Sequence, residues 1–407
     1  MPPVVELFPL SGPVRAQVTI PGSKSITNRA LLLAALSSDS VTLHGALWSD
    51  DTEVMAACLK KLEIPISVIP DPLESGNRTI HVTGRGGAIA PGGPPEKPLE
   101  LFVGNAGTAA RFIAALVCLG EGNYRLSGTP RMHERPQGAL FAALRELGYS
   151  VSSSNDRLPA VISGSGPRPG ATCHVRIDES SQFASALILA ATRGGWLVTV
   201  EGENAEESPY VELTFGIVRT FPHQGGEFLV EPDASSASYF WGGDWLLRSS
   251  EIRIANWMTA SLQIDARFPE KIRAFPKTLS RERDLGDSIM TAIVLAPFAE
   301  AEKTFVDLGR LRVQECERVQ ALHTELAKCG ARIHEEGDTL RITPGPLHGA
   351  EIETYDDHRM AMCFAMLGLV VPGIRIRNPE CVKKTFPNFF EKLGDAPPRG
   401  LGVKRVL

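Results

Sequence analysis

The chain has 407 residues, of which 43% are hydrophobic and 22% are charged, and its formal net charge is -5. This length and balance predict a soluble globular protein with two domains of about two hundred residues each. The slightly acidic balance excludes a nucleic acid or an acidic membrane as a partner that is recruited by bulk charge.

Seven cysteines are scattered along the chain without a C-x-x-C pair, which is typical of neither a disulfide framework nor a zinc site. The first residues lack a basic segment followed by an apolar core. The longest apolar run, residues 360–372, is too short to cross a bilayer. We therefore expect a cytoplasmic protein that is neither exported nor embedded in a membrane.

A polar or glycine-rich cap followed by an alanine-rich apolar helix recurs six times along the chain. The six segments are residues 22–36, 104–119, 179–192, 233–241, 285–299 and 355–371. Several are followed by an amphipathic helix with one charged face. These second helices are predicted in residues 50–63, 134–148, 208–221, 315–330 and 383–394.

Short β-like segments such as RTIHVTG and TLRIT lie between the helix pairs, so the chain is a weak tandem repeat of α/β units. The brief glycine-containing stretch at residues 225–231 is the best candidate for a connection between two halves of three units each. We predict a domain boundary near residue 231.

The segment PGSKSITNR, residues 21–29, carries the strongest local signal. Lys24 precedes a predicted helix start, Ser25 can cap it, and Arg29 follows one turn later. Two cations, a hydroxyl and free backbone N–H groups at a helix start suit a phosphate or a carboxylate. A solvated basic helix start is the alternative.

Residues 104–111, GNAGTAAR, repeat this design, because their glycines let the backbone approach a ligand and Arg111 lies in the first turn. The spacing is that of neither a P-loop nor a dinucleotide-binding motif, so no nucleotide is indicated. A structural turn is the alternative.

The segment RMHERP, residues 131–136, places Arg135 beside a proline that is expected to open the next helix, which makes an anion clamp or an ordinary charged loop. Residues 180–182, SSQ, offer three neutral donors at a helix start, and a simple N-cap is the commoner explanation.

In the second half, Asp287 opens an apolar helix and is either a cap or a base. Glu315 and Arg318 are three residues apart, so they form either a surface ion pair or an acid beside a substrate clamp. Arg359 and Lys384 are again cations at helix starts, and His358 by itself is more often structural than catalytic.

Cations thus recur at helix starts in a net-acidic chain. They are Lys24, Arg29, Arg111, Arg135, Arg318, Arg359 and Lys384. Their convergence predicts small polyanionic substrates.

The motifs, in order, resemble those of the 5-enolpyruvylshikimate-3-phosphate synthases. They are PGSKSITNRALLLAAL, GNAGTAARF, RMHERP, SSQ, DASSASYF, DSIMT, ECER, DDHRMAMCF and KTFP, and they cover residues 21–393. The resemblance implies a two-domain inside-out α/β barrel, the enolpyruvyl transferase fold, built from repeated βαβαββ units. Three units would form domain 21–231, and three would form the second domain, 1–20 plus 232–407.

The resemblance also implies the reaction. The enolpyruvyl group of phosphoenolpyruvate would pass to the 5-hydroxyl of shikimate 3-phosphate through a tetrahedral intermediate, with release of phosphate. No cofactor or metal is implied, and the family suggests a monomer.

By motif, the catalytic residues would be Asp287, which accepts the hydroxyl proton, Glu315, which handles the proton at the methylene carbon, and Lys24. The expected shikimate 3-phosphate residues are Lys24, Ser25, Arg29, Ser180, Ser181, Tyr210, Asp287, Arg310 and Gln314. The expected phosphoenolpyruvate residues are Lys24, Asn105, Gly107, Arg111, Arg135, Gln182, Arg318, His358, Arg359 and Lys384.

Three positions depart from the family pattern, all on the acceptor side. Glu207 stands where the family has a phosphate-binding serine, Gln314 where it has a lysine, and Arg310 where it has an asparagine. A divergent enolpyruvyl transferase or an inactive paralogue with a different acceptor is therefore the alternative. The motifs disfavour a UDP-N-acetylglucosamine enzyme, and the acidic charge disfavours RNA 3'-phosphate cyclisation.

Overall fold

The computed structural model describes residues 3–202, 208–258 and 260–406. The chain forms two compact units, Gly22–Glu231 on one side and Met1–Pro21 with Pro232–Leu407 on the other. The chain therefore passes from one unit to the other after Pro21 and again after Glu231. The three repeat units that the sequence assigns to each domain stay a prediction.

In the unit Gly22–Glu231, helices alternate with strands. The helices are α1 Lys24–Leu36, α2 Asp50–Lys61, α3 Gly107–Leu116, α4 Pro130–Glu134, α5 Gly138–Glu146, α6 Gln182–Gly194 and α7 Ser208–Thr220. The strands are β3 Ser40–Leu47, β4 Ile66–Pro70, β5 Asn77–Thr83, β6 Leu99–Phe102, β7 Glu121–Ser127, β8 Ser150–Ser152, β9 Ala160–Ser165, β10 Thr172–Arg176, β11 Leu197–Glu201 and β12 Gly226–Leu229. They pair in the orders β12-β3-β5-β4, β6-β7-β9-β8 and β10-β11.

The core of this unit is formed by the alanine-rich helices. All residues of α3 are buried, and α1 is buried from Ile26 to Leu36, because a helix whose side chains are mostly apolar packs between other layers. The amphipathic α2 keeps charged residues such as Glu53 and Lys60 exposed while Met55 and Leu59 are buried. The apolar and amphipathic helices of the sequence pattern thus take inner and outer positions.

The other unit has the same mixture of elements. Its helices are α8 Ala234–Leu246, α9 Phe268–Ala274, α10 Ile289–Leu295, α11 Arg318–Lys328, α12 His358–Ala365 and α13 Phe389–Gly394. Its strands are β1 Val4–Leu7, β2 Arg15–Val18, β13 Glu251–Ile254, β14 Thr278–Ser280, β15 Lys303–Val306, β16 Arg332–Glu336, β17 Thr339–Thr343, β18 Glu351–Ile352, β19 Ile374–Arg377 and β20 Arg405–Val406. They pair in the orders β18-β19-β1-β20, β13-β2 and β14-β15-β17-β16.

The N-terminal strands belong to this second unit. β1 lies antiparallel to β19, with Val5 opposite Ile376, and β2 lies parallel to β13. α8 packs against β13 and α12 against β19, and α10, which is buried along its whole length, contacts both of these helices.

Several helix starts differ from the sequence prediction. Ser25 does not cap α1, because the helix begins at Lys24 and Ser25 lies in its first turn. Asp287 lies two residues before α10 and makes no cap, since its carboxylate is bound by arginines. Lys384 ends a 3-10 turn instead of beginning α13, and Pro136 lies two residues before α5.

In the part of the chain that the structure describes, none of the helices has the length and apolar character needed to span a membrane.

Candidate functional site

The predicted residues lie in two groups, one in each unit. We use the name Lys24 cluster for the predicted residues that belong to the unit Gly22–Glu231, which are Lys24, Ser25, Arg29, Asn105, Gly107, Arg111, Arg135, Ser180, Ser181, Gln182 and Tyr210. The Asp287 cluster, in the other unit, consists of the predicted residues Asp287, Arg310, Gln314, Glu315, Arg318, His358, Arg359 and Lys384, together with their neighbours Arg281 and Asp357.

Lys24 lies at the first position of α1, where backbone N–H groups of the first turn have no partner within the helix. Its Nζ is 3.0 Å from Oδ2 of Asp51, in the first turn of α2, and both side chains are mostly buried. The cation is therefore held next to a helix start and keeps part of its surface accessible, as an anion site requires.

Arg29 joins α1 to α6 and α7. Its Nε donates to Oγ1 of Thr214 at 2.8 Å, its Nη2 to Oγ of Ser185 at 3.0 Å, and its Nη1 to the carbonyl of Ser25 at 3.0 Å. The guanidinium carbon is 5.6 Å from the ring centre of Phe112. The side chain is buried, so it fastens three helices together, and its contact with substrate stays a prediction.

Two arginines converge on Gly107. A Cβ atom at this glycine would lie 2.5 Å from Nη1 of Arg111 and 2.6 Å from Nη2 of Arg135. Arg111 is anchored by a 2.8 Å bond to the carbonyl of Pro136, and Arg135 by a 3.3 Å bond to the carbonyl of Asn105. The absence of a side chain at Gly107 is what gives both guanidinium groups room at the start of α3.

The start of α6 carries the neutral donors. Oγ of Ser180 accepts a hydrogen bond from the backbone N–H of Gln182 at 3.2 Å, and Ser181 precedes the helix as its N-cap residue. Oε1 of Gln182 is buried without a hydrogen-bond partner among the described residues. Tyr210, in the first turn of α7, contacts Arg29 of α1, because its carbonyl lies 3.5 Å from Nη2 of that arginine.

Asp287 is surrounded by three arginines. Its Oδ1 is 3.0 Å from Nη2 of Arg281, and its Oδ2 is 3.1 Å from Nη2 of Arg359 and 3.8 Å from Nη1 of Arg318. Burial raises the pKa of this carboxyl, but the charges of Arg359, Arg281 and Arg318 outweigh it and hold the pKa well below its usual range. Asp287 is therefore ionised at neutral pH.

Arg318 begins α11 and is almost completely buried. Its Nε is 2.6 Å from Oδ2 of Asp357, and its Nη2 is 2.9 Å from Oε2 of Glu315. Burial would lower the pKa of this guanidinium, but the charges of Asp357, Glu315 and Asp287 raise it instead. The result is a fixed cation with one edge towards Asp287.

Glu315 lies between two cations, because its Oε1 is 2.9 Å from Nζ of Lys384 and its other oxygen contacts Arg318. Gln314 accepts a hydrogen bond from Nη1 of Arg318. Arg310 lies in the preceding 3-10 turn, Gly309–Val313. The predicted acid and two of the predicted phosphoenolpyruvate residues are thus in direct contact.

A tight turn with two aspartates, Asp356 and Asp357, precedes α12. Tyr355 and Asp356 both have positive φ angles of 55°, which is uncommon for residues with side chains. Asp357 then caps α12 by accepting from the backbone N–H of Arg359 at 2.8 Å. His358 is buried, with its Nδ1 3.8 Å from Oδ1 of Asp357, so the turn also fixes its position.

Sequence reasoning missed Arg281, Asp51 and Asp265 as neighbours of the predicted site. Arg281 is buried against Asp287, although SRERD reads as an exposed charged loop. Asp265 is buried and accepts from Oγ of Ser235 at 2.6 Å and from the backbone N–H of Ser288 at 2.8 Å. Glu207 lies outside the described residues.

Within the described ranges, the structure contains no group of three or more histidine, cysteine, aspartate or glutamate side chains arranged to hold a metal ion. The contacts in the Asp287 cluster join fixed cations to the ionised carboxylate of Asp287 and to the bridging Glu315.

The chain has the two-domain α/β enolpyruvyl transferase fold. Two solved structures of EPSP synthase from Acinetobacter baumannii share this fold with TM-scores of 0.80 and 0.79, each at 20% identity. The first superposition covers 99% of this chain and 100% of the solved chain, and the second covers 98% of this chain and 99% of the solved chain.

Sequence comparison gives the family. The model of the family described as EPSP synthase (3-phosphoshikimate 1-carboxyvinyltransferase) matches residues 10–223 and 281–393. A 3-phosphoshikimate 1-carboxyvinyltransferase of Nostoc punctiforme is 37% identical over 95% of this chain and 98% of its own length. A 3-phosphoshikimate 1-carboxyvinyltransferase of Shewanella baltica (strain OS155) is 36% identical over 93% of this chain and 96% of its own length. The chain belongs to the EPSP synthase family, which confirms the resemblance and the fold class predicted from the sequence.

Proposed function

We propose that this protein transfers the enolpyruvyl group of phosphoenolpyruvate to the 5-hydroxyl of shikimate 3-phosphate and releases phosphate, which makes it a 3-phosphoshikimate 1-carboxyvinyltransferase. The family match and the curated relatives support this reaction.

The observation that carries the proposal is the environment of Asp287. An ionised carboxylate stands within 4 Å of Arg281, Arg318 and Arg359, and Arg318 also contacts Glu315. Enolpyruvyl transfer needs a base for a hydroxyl, a second group for a proton on carbon, and cations for a phosphate and a carboxylate. The Asp287 cluster supplies the base, the second proton-handling group and part of the cations.

We assign the substrates by motif. Shikimate 3-phosphate would contact Lys24, Ser25, Arg29, Ser180, Ser181, Tyr210, Asp287, Arg310 and Gln314. Phosphoenolpyruvate would contact Lys24, Asn105, Gly107, Arg111, Arg135, Gln182, Arg318, His358, Arg359 and Lys384. The convergence of Arg111 and Arg135 on Gly107 supports an anion there, since two guanidinium groups that face one space stabilise a negative ligand.

The proposed chemistry has two steps. In the addition, Asp287 takes the proton of the 5-hydroxyl, the hydroxyl oxygen bonds to C2 of phosphoenolpyruvate, and protonated Glu315 gives its proton to C3. In the elimination, Glu315 takes a proton back from C3 as the C2–O bond to phosphate breaks, and the proton held by Asp287 leaves with the phosphate. Lys24 and the arginines stabilise the charge of the tetrahedral intermediate and of the departing phosphate.

We propose the cytoplasm as the compartment and a monomer as the working state. All seven cysteines lie within the described residues and are free thiols, which supports a reducing environment.

The proposal is tested by phosphate release from purified protein with phosphoenolpyruvate, in the presence and absence of shikimate 3-phosphate. We expect phosphate release only with both substrates. The rate of release should fall at least about a hundredfold in Lys24→Ala, because the variant lacks one fixed positive charge that stabilises the transition state. Lys60→Ala is the matched control, since Lys60 is an exposed lysine in the last turn of α2.

Absence of release from the wild-type protein, with phosphoenolpyruvate still bound in calorimetry, would contradict the proposal. That result would favour the divergent acceptor or the inactive paralogue raised by Glu207, Arg310 and Gln314.

A further inference from the structure

Arg281 is a buried arginine that the expected substrate contacts do not include. It follows β14 directly, and its backbone N–H donates to the carbonyl of Val306 at 3.2 Å, which extends the β14–β15 pairing by one residue. Its side chain is 1% exposed, and Nη2 donates to Oδ1 of Asp287 at 3.0 Å. Burying an arginine costs desolvation free energy, and the ion pair with Asp287 compensates this cost.

The two oxygens of Asp287 have different partners. Oδ1 is held by Arg281, whereas Oδ2 faces Arg359 at 3.1 Å and Arg318 at 3.8 Å. Arg359 and Arg318 are proposed to hold phosphoenolpyruvate. When phosphoenolpyruvate binds Arg359 and Arg318, these arginines share their charge between the ligand and Asp287. Their hold on Oδ2 then weakens, whereas the contact of Arg281 with Oδ1 remains.

The backbone around Asp287 is also fixed. Asp265 accepts from the N–H of Ser288 at 2.8 Å. A Cβ at Gly286 would lie 2.9 Å from Cγ2 of Ile264 and 3.0 Å from Oδ2 of Asp265, so the turn is packed against its neighbours. The backbone on both sides of Asp287 is therefore held by its neighbours, and the side-chain contacts of Asp287 decide which of its oxygens is presented to the substrate.

Four charged groups act on Asp287 directly. Three are cations, Arg281, Arg318 and Arg359, and the fourth is the carboxylate of Asp265. Behind them, Asp357 and Glu315 neutralise Arg318, and Asp233 and Tyr239 lie close to Arg359. Arg281 is the one of the three arginines that the proposed substrate contacts leave in place.

We propose that Arg281 is a positioning residue for the base: it holds Oδ1 of Asp287 so that Oδ2 is the atom that accepts the hydroxyl proton. This inference rests on the proposed function. The proton moves from the 5-hydroxyl oxygen to Oδ2 as that oxygen bonds to C2 of phosphoenolpyruvate, and Arg281 neither gains nor loses a proton.

The test compares Arg281→Gln and Arg281→Lys with wild type in pH profiles of kcat and kcat/KM. Arg283→Gln is the matched control, because Arg283 lies two residues away with a 73% exposed side chain. Loss of one adjacent cation raises the pKa of Asp287, so the acid limb of Arg281→Gln should move up by about one pH unit. We expect kcat to fall roughly ten- to a hundredfold with little change in KM for phosphoenolpyruvate.

Arg281→Lys should keep the position of the acid limb and recover part of kcat, and Arg283→Gln should match wild type. Identical acid limbs in wild type and both Arg281 variants would overturn the inference. A rise in KM for phosphoenolpyruvate with unchanged kcat would also overturn it, because Arg281 would then bind substrate.

The inference can fail separately from the proposed function. Wild-type protein that releases no phosphate refutes the function, and a double-mutant cycle of Arg281→Gln and Asp287→Asn then tests the contact by urea unfolding. Non-additive unfolding midpoints support the contact between the two side chains, and additive midpoints overturn it.

Discussion

Arg318 and Asp357 form a buried ion pair in which Nε of the arginine is 2.6 Å and its Nη2 3.2 Å from the two carboxylate oxygens. This two-point contact links the start of α11 to the turn before α12, although the two residues are 39 positions apart in the chain. The contact orients Arg318 towards Asp287 and leaves Asp357 free to cap α12 as well.

Asp357→Asn should destabilise the protein by about 3 kcal/mol, because it leaves the charge of Arg318 buried with less compensation. The amide oxygen of the asparagine can still cap α12, so the loss of stability should come from the ion pair. Urea unfolding measures this change in the free energy of unfolding. Glu100→Gln, which removes the exposed partner of Arg125, is the control and should cost less than about 1 kcal/mol. Equal losses in both variants would contradict the assignment of a buried pair.

Gly107→Ala should raise KM for phosphoenolpyruvate about tenfold, equivalent to about 1.4 kcal/mol of binding. The new methyl group would lie within 2.6 Å of terminal nitrogens of Arg111 and Arg135. These are the ends of flexible side chains, so the fold should survive while the two guanidinium groups move apart. Steady-state kinetics at saturating shikimate 3-phosphate measures the change.

Gly138→Ala is its control, because a Cβ at Gly138, the first residue of α5, meets nothing closer than Cβ of Asp156 at 3.8 Å. This variant should keep KM and should unfold at an equal or higher urea concentration, since alanine is the better helix former. A similar KM for both variants would argue against an anion at Gly107.

The sequence predicts the buried helices well, because a polar cap followed by small apolar residues is a local signal. A helix begins in each of the six segments, for example Lys24–Leu36 and Gln182–Gly194. The exact starts are less predictable, since Ser25 and Asp287 are as suitable for capping as for binding. Their role is decided by partners far along the chain, such as Arg318 and Arg359 for Asp287.

The identity of the charged neighbours could not be predicted, as Arg281 and Arg283 illustrate. Both belong to one hydrophilic segment, yet Arg281 is buried and Arg283 is exposed. The difference arises because Arg281 continues the β14–β15 ladder and therefore takes a fixed direction, whereas Arg283 lies in the turn that follows. Strand register depends on tertiary pairing, which the segment itself does not encode.

Asp265→Asn should change the pH dependence of stability in a defined direction. Burial and then the charge of Asp287 raise the pKa of Asp265 in the folded state. The folded protein thus binds its proton more tightly than the unfolded chain, and wild type loses stability as the pH rises from about 4 through the raised folded value. The variant lacks this loss, so its stability relative to wild type should increase over that interval in urea unfolding.

Asp284→Asn is the control of opposite sign. Burial raises the pKa of Asp284, but its hydrogen bonds with Lys271 and with the N–H of Ser280 outweigh this and lower it. Its stabilising contribution is present above pH 4 and is lost as the pH falls through the lowered folded value. The deficit of this variant should therefore shrink in acid, and slopes of the same sign in both variants would contradict the two environments.

Tyr355→Phe should raise KM for phosphoenolpyruvate and destabilise the protein by about 1 kcal/mol. Oη of Tyr355 donates to Oε1 of Glu325 at 2.8 Å, and Oε2 of this buried glutamate accepts from the N–H of Glu353 at 3.1 Å. These bonds hold a turn with two positive φ angles directly before Asp357, so their loss should loosen the groups that follow. Urea unfolding and steady-state kinetics measure the two effects.

Tyr149→Phe provides the matched control, since Oη of Tyr149 donates to the carbonyl of Gly166 at 2.8 Å in the other unit. We expect a similar loss of stability there without a change in KM, because Tyr149 holds no part of either cluster. If both variants changed KM equally, the effect would reflect general destabilisation. A rise in Tyr355→Phe alone would show that the turn before α12 sets the position of Arg359.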